Sequence, residues 1–308
     1  MKHPQWPALP YEAWKDTYET LHMWMQIVGK IRLARMPWLN HCWQVTFYPT
    51  ARGLTTGPMP YGEEHLQVDF DFIAHELGVQ TSRGERRRIA LAPMSVADFY
   101  RAVMEALRAV GMPVRIYRKP VEVESQIPFD VDEGHRAYDA EYAHRCWRIL
   151  VSSADVFGRF RSRFYGKASP VHFFWGGFDL AVTRFSGRTA PPHPGGIPNV
   201  ADRVTRDAYS HEVSSCGFWP GGAPAPYPLF YSYAYPEPSG FAGAPLQPAE
   251  ARYDSSLREF ILPYDAVREA DDPDEKLLAF LQSSYEAAAN LSHWDRKALE
   301  AAQAGLNA

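Results

Sequence analysis

Cysteine is scarce in this chain: Cys42, Cys146 and Cys216 are the only three in 308 residues. An odd trio without a CxxC pair supplies neither a disulfide framework nor a thiolate zinc site, and all three fall in apolar-periodic segments where buried thiols are the rule. Lysine is scarce as well, seven of the 32 basic residues. The arginine excess reads either as genome composition or as bidentate anion recognition at a few positions. Charge of one sign is missing too. A net charge of −4 and a pI near 6.3 give no whole-chain case for nucleic acid or an anionic membrane. No apolar run approaches the roughly 18 residues a membrane span needs. The opening Met-Lys-His-Pro-Gln-Trp-Pro has neither an apolar run nor a small-residue cleavage site, so the expected compartment is the cytoplasm. Nor is there a GxGxxG, a GxxxxGK[ST] or a GxSxG, and the dinucleotide, P-loop and nucleophile-elbow readings fail with them. No cofactor follows from the sequence.

What the chain has is aromatic residues, 14% of it, with 26 prolines and 21 glycines. A sequence this rich in rings buries enough surface to offset ordering entropy. Residues 11–35 read as a helix, with Trp14, Tyr18, Leu21, Met25 and Val28 in one apolar stripe, ended by Met36-Pro37. Thr20, His22, Gln26 and Lys30 fall on its polar side, as a pocket wall or a wet face. Residues 42–49 read as a strand. Leu66, Val68, Phe70 and Phe72 alternate with polar residues in the clearest strand pattern, and 79–91 reads as a hairpin turning at Arg83-Gly84. Asp69 and Asp71 share one face of that strand and read as solvated acids, and Arg86-Arg87-Arg88 reads as a solvated hairpin. Ser95 caps a helix that stops at Gly111.

The second half repeats the order. A long helix spans roughly 135–165, strands fit 171–175, 178–185, 209–218, 229–235 and 257–262, and Asp272-Pro273 opens a further helix before a short one begun by Ser292 and Asp295. The expected fold is α+β: two similar halves, each a small antiparallel sheet with helices packed on one face, forming one compact unit. The halves run over 1–125 and 135–308, an arrangement that suggests internal duplication, with residues 120–134 as the join.

Chemistry concentrates between Ser169 and Pro220. A loop from Gly187 to Asn199 carries four prolines and three glycines and reads as a rigid wall. His172 and His211 are candidate bases, with Glu212 or Asp179 orienting the ring. Arg184 and Arg188 are candidate anion holders, joined by Trp175, His193 and Tyr233 as ligand-binding candidates. Strand parity places Asp179 and Arg184 on opposite faces, and does the same for His211 and Glu212. His172, His193 and His211 with a carboxylate are the candidate set for a metal, although no facial-triad or HExxH spacing supports one. Tyr231, Tyr233 and Tyr235 share a strand face as a pocket wall or a packing ladder.

Several strings, among them Asn40-His-Cys-Trp43, Ser169-Pro-Val-His-Phe-Phe-Trp175, Asp179-Leu-Ala-Val-Thr-Arg-Phe-Ser-Gly187 and Tyr209-Ser-His-Glu-Val-Ser-Ser215, resemble over nearly the whole chain a bacterial family known only as a domain of unknown function. The resemblance brings no activity, cofactor or catalytic residue with it. The chain departs from that family's pattern at Cys42 and Gln44, where a Trp and a His are usual. Two readings stay open. One is an enzyme acting on a small anionic or aromatic molecule through a His/Arg/carboxylate pocket, by acid–base or metal-assisted chemistry. The other is a non-enzymatic module that binds a small molecule or a partner.

Overall fold

The stripe of residues 14, 18, 21, 25 and 28 belongs to a helix buried far beyond one face. In a computed structural model, which describes residues 3–197 and 199–301, helix α1 runs from Tyr11 to Arg35 and every residue from Thr20 to Arg32 is buried. Its polar side is therefore neither a pocket wall nor a wet face. Buried polar groups are costly unless bonded; Thr17, Thr20, His22 and Gln26 are bonded to the backbone that wraps the helix, and the Lys30 ammonium lies over the Tyr117 and Trp175 rings at 5.5 and 6.0 Å. Thr17 and Thr20 accept from the Asp139 and Ala137 amides at 2.9 and 3.1 Å. Gln26 holds Val121 at two points, donating to its carbonyl at 2.7 Å and accepting from its amide at 2.8 Å. His22 donates through Nε2 to the Gly176 carbonyl at 2.8 Å, and burial pushes its ring down to about 4. The segment that reads as a linker, 120–134, is thus fastened to the central helix.

The first sheet comprises β1 (Tyr48–Pro49), β2 (Gly53–Thr55), β3 (Met59–Tyr61), β4 (Glu64–Asp71), β5 (Glu76–Thr81) and β6 (Arg86–Ala90), antiparallel in the order β1-β2-β4-β5-β6 with β3 on β4. Leu66, Val68 and Phe70 of β4 point inward, as the alternation predicts. Helix α2 (Val96–Ala109) follows, and Trp24 of α1 stacks on its Phe99 at 4.6 Å. The Ser95 hydroxyl accepts from the Asp98 amide at 3.1 Å. Ser95→Ala is expected to cost about 1 kcal/mol, read as a lower midpoint in urea at unchanged slope.

The second sheet comprises β7 (His172–Phe174), β8 (Asp179–Thr189), β9 (His211–Trp219), β10 (Leu229–Tyr235), β11 (Arg252–Asp254) and β12 (Glu259–Pro263), antiparallel in the order β11-β12-β10-β9-β8-β7. Helices α3 (Ala140–Ser162) and, in chain order, α4 (Asp202–Ala208), α5 (Tyr264–Arg268), α6 (Pro273–Leu291) and α7 (Arg296–Leu299) complete it. α3 and α6 cover one face of the sheet. α3 starts later than the periodicity suggests, because Asp139 caps it by accepting from the Glu141 and Tyr142 amides.

The strand expected over 42–49 is a correction. A 3₁₀ turn occupies Asn40–Val45, with His41 and Cys42 in the left-handed region at φ 59° and 61°, and only Tyr48–Pro49 pairs as a strand. Between them Phe47 exchanges two 2.8 Å backbone hydrogen bonds with Phe173, which join the two sheets. Strand-forming composition is thus spent on a crossing between sheets. The three cysteines are free and buried. Among the described residues, no helix is long and apolar enough to cross a membrane.

Candidate active site

Period two sorts the second sheet into a helix-covered face and an opposite face. Leu180, Val182, Cys216, Phe218, Phe230 and Phe260 join the main core. Asp179, Ala181, Thr183, Ser215, Trp219, Tyr231, Tyr233 and Glu259 line a cavity on the other side. The cavity has an outer chamber of about 520 Å³ and a deeper one of about 240 Å³, which share Glu122, Asp179, Ile197, Tyr231 and Tyr233. Two loops roof it. One brings Glu122, Val123 and Glu124, the other Ile197 and Asn199, and the Asn199 amide donates to the Val123 carbonyl at 3.1 Å.

Tyr231 shows how neighbouring strands build the site. It pairs with Gly217 of β9, which in turn pairs with Ala181 of β8. A Cβ on Gly217 would stand 2.4 Å from the Tyr231 hydroxyl, so only glycine lets the ring cross β9. The hydroxyl then donates to Asp179 Oδ2 at 2.5 Å. Tyr233 stacks beside Tyr231 at 6.1 Å and accepts from the Tyr209 hydroxyl at 3.1 Å. Tyr231 and Tyr233 are therefore both ladder and pocket wall, whereas Tyr235 lines neither chamber and donates to the Pro191 carbonyl at 3.0 Å.

Four carboxyls line this space, Glu122, Glu124, Asp179 and Glu259. Desolvation raises Asp179 to about 6, with the Tyr231 hydroxyl pulling it back down. Desolvation, then the charge of Asp179, raises Glu122 to about 7, but its side chain is exposed to cavity water where those of Asp179 and Glu259 are half-buried, so its shift is the more screened. Desolvation, then Asp179 and Asp254, raises Glu259 to about 8. Asp179 and Glu122 lie close together: the Cβ position of Gly177 is 2.9 Å from Asp179 Oδ1 and 3.7 Å from Glu122 Oε2. α1 sets both walls. Gln26 holds Val121, next to Glu122 in its left-handed conformation at φ 58°, and His22 holds Gly176. Among the described residues no Lys, Arg or His lines the outer chamber, and His41 is the one basic residue lining the inner. Lys167 donates to His41 Nε2 at 2.6 Å, which leaves Nδ1 to donate to the Ala208 carbonyl at 3.2 Å.

Of the eight residues singled out from the sequence, Tyr233 lines the cavity. His172 is buried between the rings of Trp43 and Phe174, with Thr46 Oγ1 3.3 Å from Nδ1, and burial and Arg32 push it down to about 3. His211 sits at the start of β9 against Ser210. Glu212 takes two hydrogen bonds from Arg188, at 2.9 and 2.6 Å, and Arg188 also donates to the Ser292 and His293 carbonyls, tying the sheet to the end of α6. Arg184 lies on the helix-covered face, its guanidinium 3.4 Å from the Phe160 ring centroid and 4.3 Å from that of Tyr285. Trp175 packs beneath Gly29 and donates to the Val45 carbonyl at 2.7 Å. His193 stacks on Tyr209 at 4.9 Å. These eight do not converge. Among the described residues, no three His, Cys, Asp or Glu side chains stand close enough to hold a metal ion, so the three histidines are not a ligand set.

Sequence reasoning named Asp179 only as an orienting acid, and it missed Glu122 and Glu259. Glu122 had no signal, since it lies in a loop without periodicity. Glu259 had one, a carboxylate beginning a strand with Phe260, Ile261 and Leu262.

Fold and site together define an α+β protein with an aromatic, acid-lined cavity on the uncovered face of its second sheet. The chain belongs to DUF5996, a family of unknown function whose pattern matches residues 6–301. No curated protein and no solved structure matches it.

Proposed function

We propose that the protein is an enzyme that transfers protons on a small neutral or cationic molecule held in the Asp179–Tyr231 cavity. The observation that carries this reading is the convergence of Asp179, Glu122 and Glu259 on one aromatic-walled space with no basic side chain in its outer chamber. Carboxyls whose surroundings hold their proton affinities apart divide into base and acid. At neutral pH Asp179, at about 6, is mainly ionised and serves as the base, and Glu259, at about 8, is mainly protonated and serves as the acid. The rings of Trp219, Tyr231 and Tyr233 suit an aromatic or alkyl body. The guanidinium groups that suggested an anionic substrate, Arg184 and Arg188, are engaged elsewhere.

The test is a thermal-shift and turnover screen of the full chain against three sets: primary and quaternary amines, neutral aromatic alcohols, and carboxylates with phosphates. Amines or neutral aromatics are expected to raise the melting temperature, and at least one of them to be converted. Stabilisation by cavity-sized anions through Asp179, or hits that bind at every pH without conversion, would overturn the reading, the second in favour of a binding module.

A further inference from the structure

The arginines that are in excess in this sequence have no part in the cavity, yet four of them meet elsewhere. We propose that the groove between α2 and residues 113–118 binds a phosphorylated small molecule with an apolar body, at a site separate from the acid cavity. Arg101, Arg108, Arg115 and Arg118 line this groove of about 520 Å³, in a chain whose net charge is −4.

Two of the four are already paired. Arg101 meets Asp98 and Arg118 meets Asp130. Arg108 and Arg115 form no ion pair among the described residues. The groove therefore keeps two positive charges uncompensated, which matches the charge of a phosphate monoester near neutral pH. Its walls are anchored. The Arg118 carbonyl accepts from the Phe129 amide at 2.9 Å, and the Pro113 carbonyl accepts from the Tyr61 hydroxyl at 3.1 Å. Tyr100 and Asp130 also line the groove, and burial and then the Asp130 carboxylate raise the Tyr100 hydroxyl, against the smaller opposing pull of Arg118 and Arg108. Met104, Val114 and Ile116 form a half-buried apolar floor. Guanidinium forks grip phosphate oxygens in pairs, and the floor takes the organic part.

Calorimetric titration of the full chain with phenyl phosphate at low salt tests this, with inorganic phosphate and benzoate as comparators. One saturable site is expected, with phenyl phosphate the tightest of the three. Arg108→Gln with Arg115→Gln, both at exposed positions without acidic partners, is expected to weaken it about tenfold or more at an unchanged melting temperature. Arg115→Glu is expected to weaken it further, in a second variant made independently. Absence of saturation, or equal affinity in the variants, overturns the site. Inorganic phosphate binding as tightly as phenyl phosphate overturns the apolar floor, and benzoate doing so overturns the choice of phosphate.

Discussion

Asp179→Asn lowers turnover of any compound the enzyme converts by about 10² to 10⁴-fold, the range for loss of a positioned general base, and leaves the fold intact. The amide has the shape of the carboxyl and its oxygen still accepts from the Tyr231 hydroxyl, so packing under the tyrosine ladder is retained while proton-accepting power is lost. A companion change separates this role from a structural one. Tyr231→Phe removes the hydrogen bond that favours the ionised form of Asp179 and leaves desolvation in place. The acid limb of the kcat/KM profile, set near pH 6 by Asp179, then moves to higher pH. Steady-state kinetics on wild type and both variants, from about one unit below that limb to two above it, decide the matter. Turnover within a few-fold of wild type in Asp179→Asn, or an unmoved limb in Tyr231→Phe, removes Asp179 from the chemistry.

The residues that sequence alone could reach are those whose neighbours along the chain dictate their state. Helix α1 has the bounds its stripe gives, Tyr11 to Arg35, because an apolar periodicity and a Met-Pro stop agree locally. Strand β10 likewise runs from Leu229 to Tyr235 as its alternation requires, and Ser95 and Asp272 cap the helices they precede. Parity correctly separated Asp179 from Arg184. It could not say which face the helices would cover, since both faces of β8 carry apolar residues, and that choice turned Arg184 inward and Asp179 toward the cavity. The fate of residues 40–49 and of Glu122 depends on contacts more than a hundred or nearly a hundred positions away, Phe47 with Phe173 and Val121 with Gln26. No local pattern encodes such pairings. The polar residues of α1 show the same limit from the other side: their spacing is that of a wet face, and only the wrapped backbone makes them interior ties.

Glu259→Gln raises stability at pH 8 and has little effect at pH 5. In the unfolded chain this carboxyl has its ordinary value of 4.5, and in the fold it stands at about 8. Between those values the folded protein keeps a proton that the unfolded chain has released. Unfolding then releases a proton, and stability falls as pH rises. Glu122, raised to about 7, acts in the same direction, and so does Asp179 up to about 6. His22 and His172, pushed down to about 4 and about 3 from 6.5, act in the opposite direction, but their contribution is complete above 6.5. Lys30, lowered to about 8 by burial, begins to add stability only above that pH. The window from 6.5 to 8 therefore belongs chiefly to the half-buried Glu259, with a smaller, solvent-screened share from the exposed Glu122. A tenfold difference in proton affinity between folded and unfolded chain is worth about 1.4 kcal/mol, and access to cavity water reduces this. A gain on the order of 2 kcal/mol for Glu259→Gln at pH 8, or about 3 °C in melting temperature for a chain of this size, is the expected result. Melting curves of wild type and variant at pH 5, 6.5 and 8 measure it. A wild-type melting temperature that climbs from 6.5 to 8, or a variant that falls in parallel with it, shows that the carboxyl ionises as freely in the fold as outside it. Where the expected slope appears, the cavity is a place where the fold gives up stability to hold acids near one another, and a group retained at such a cost belongs to function rather than to packing.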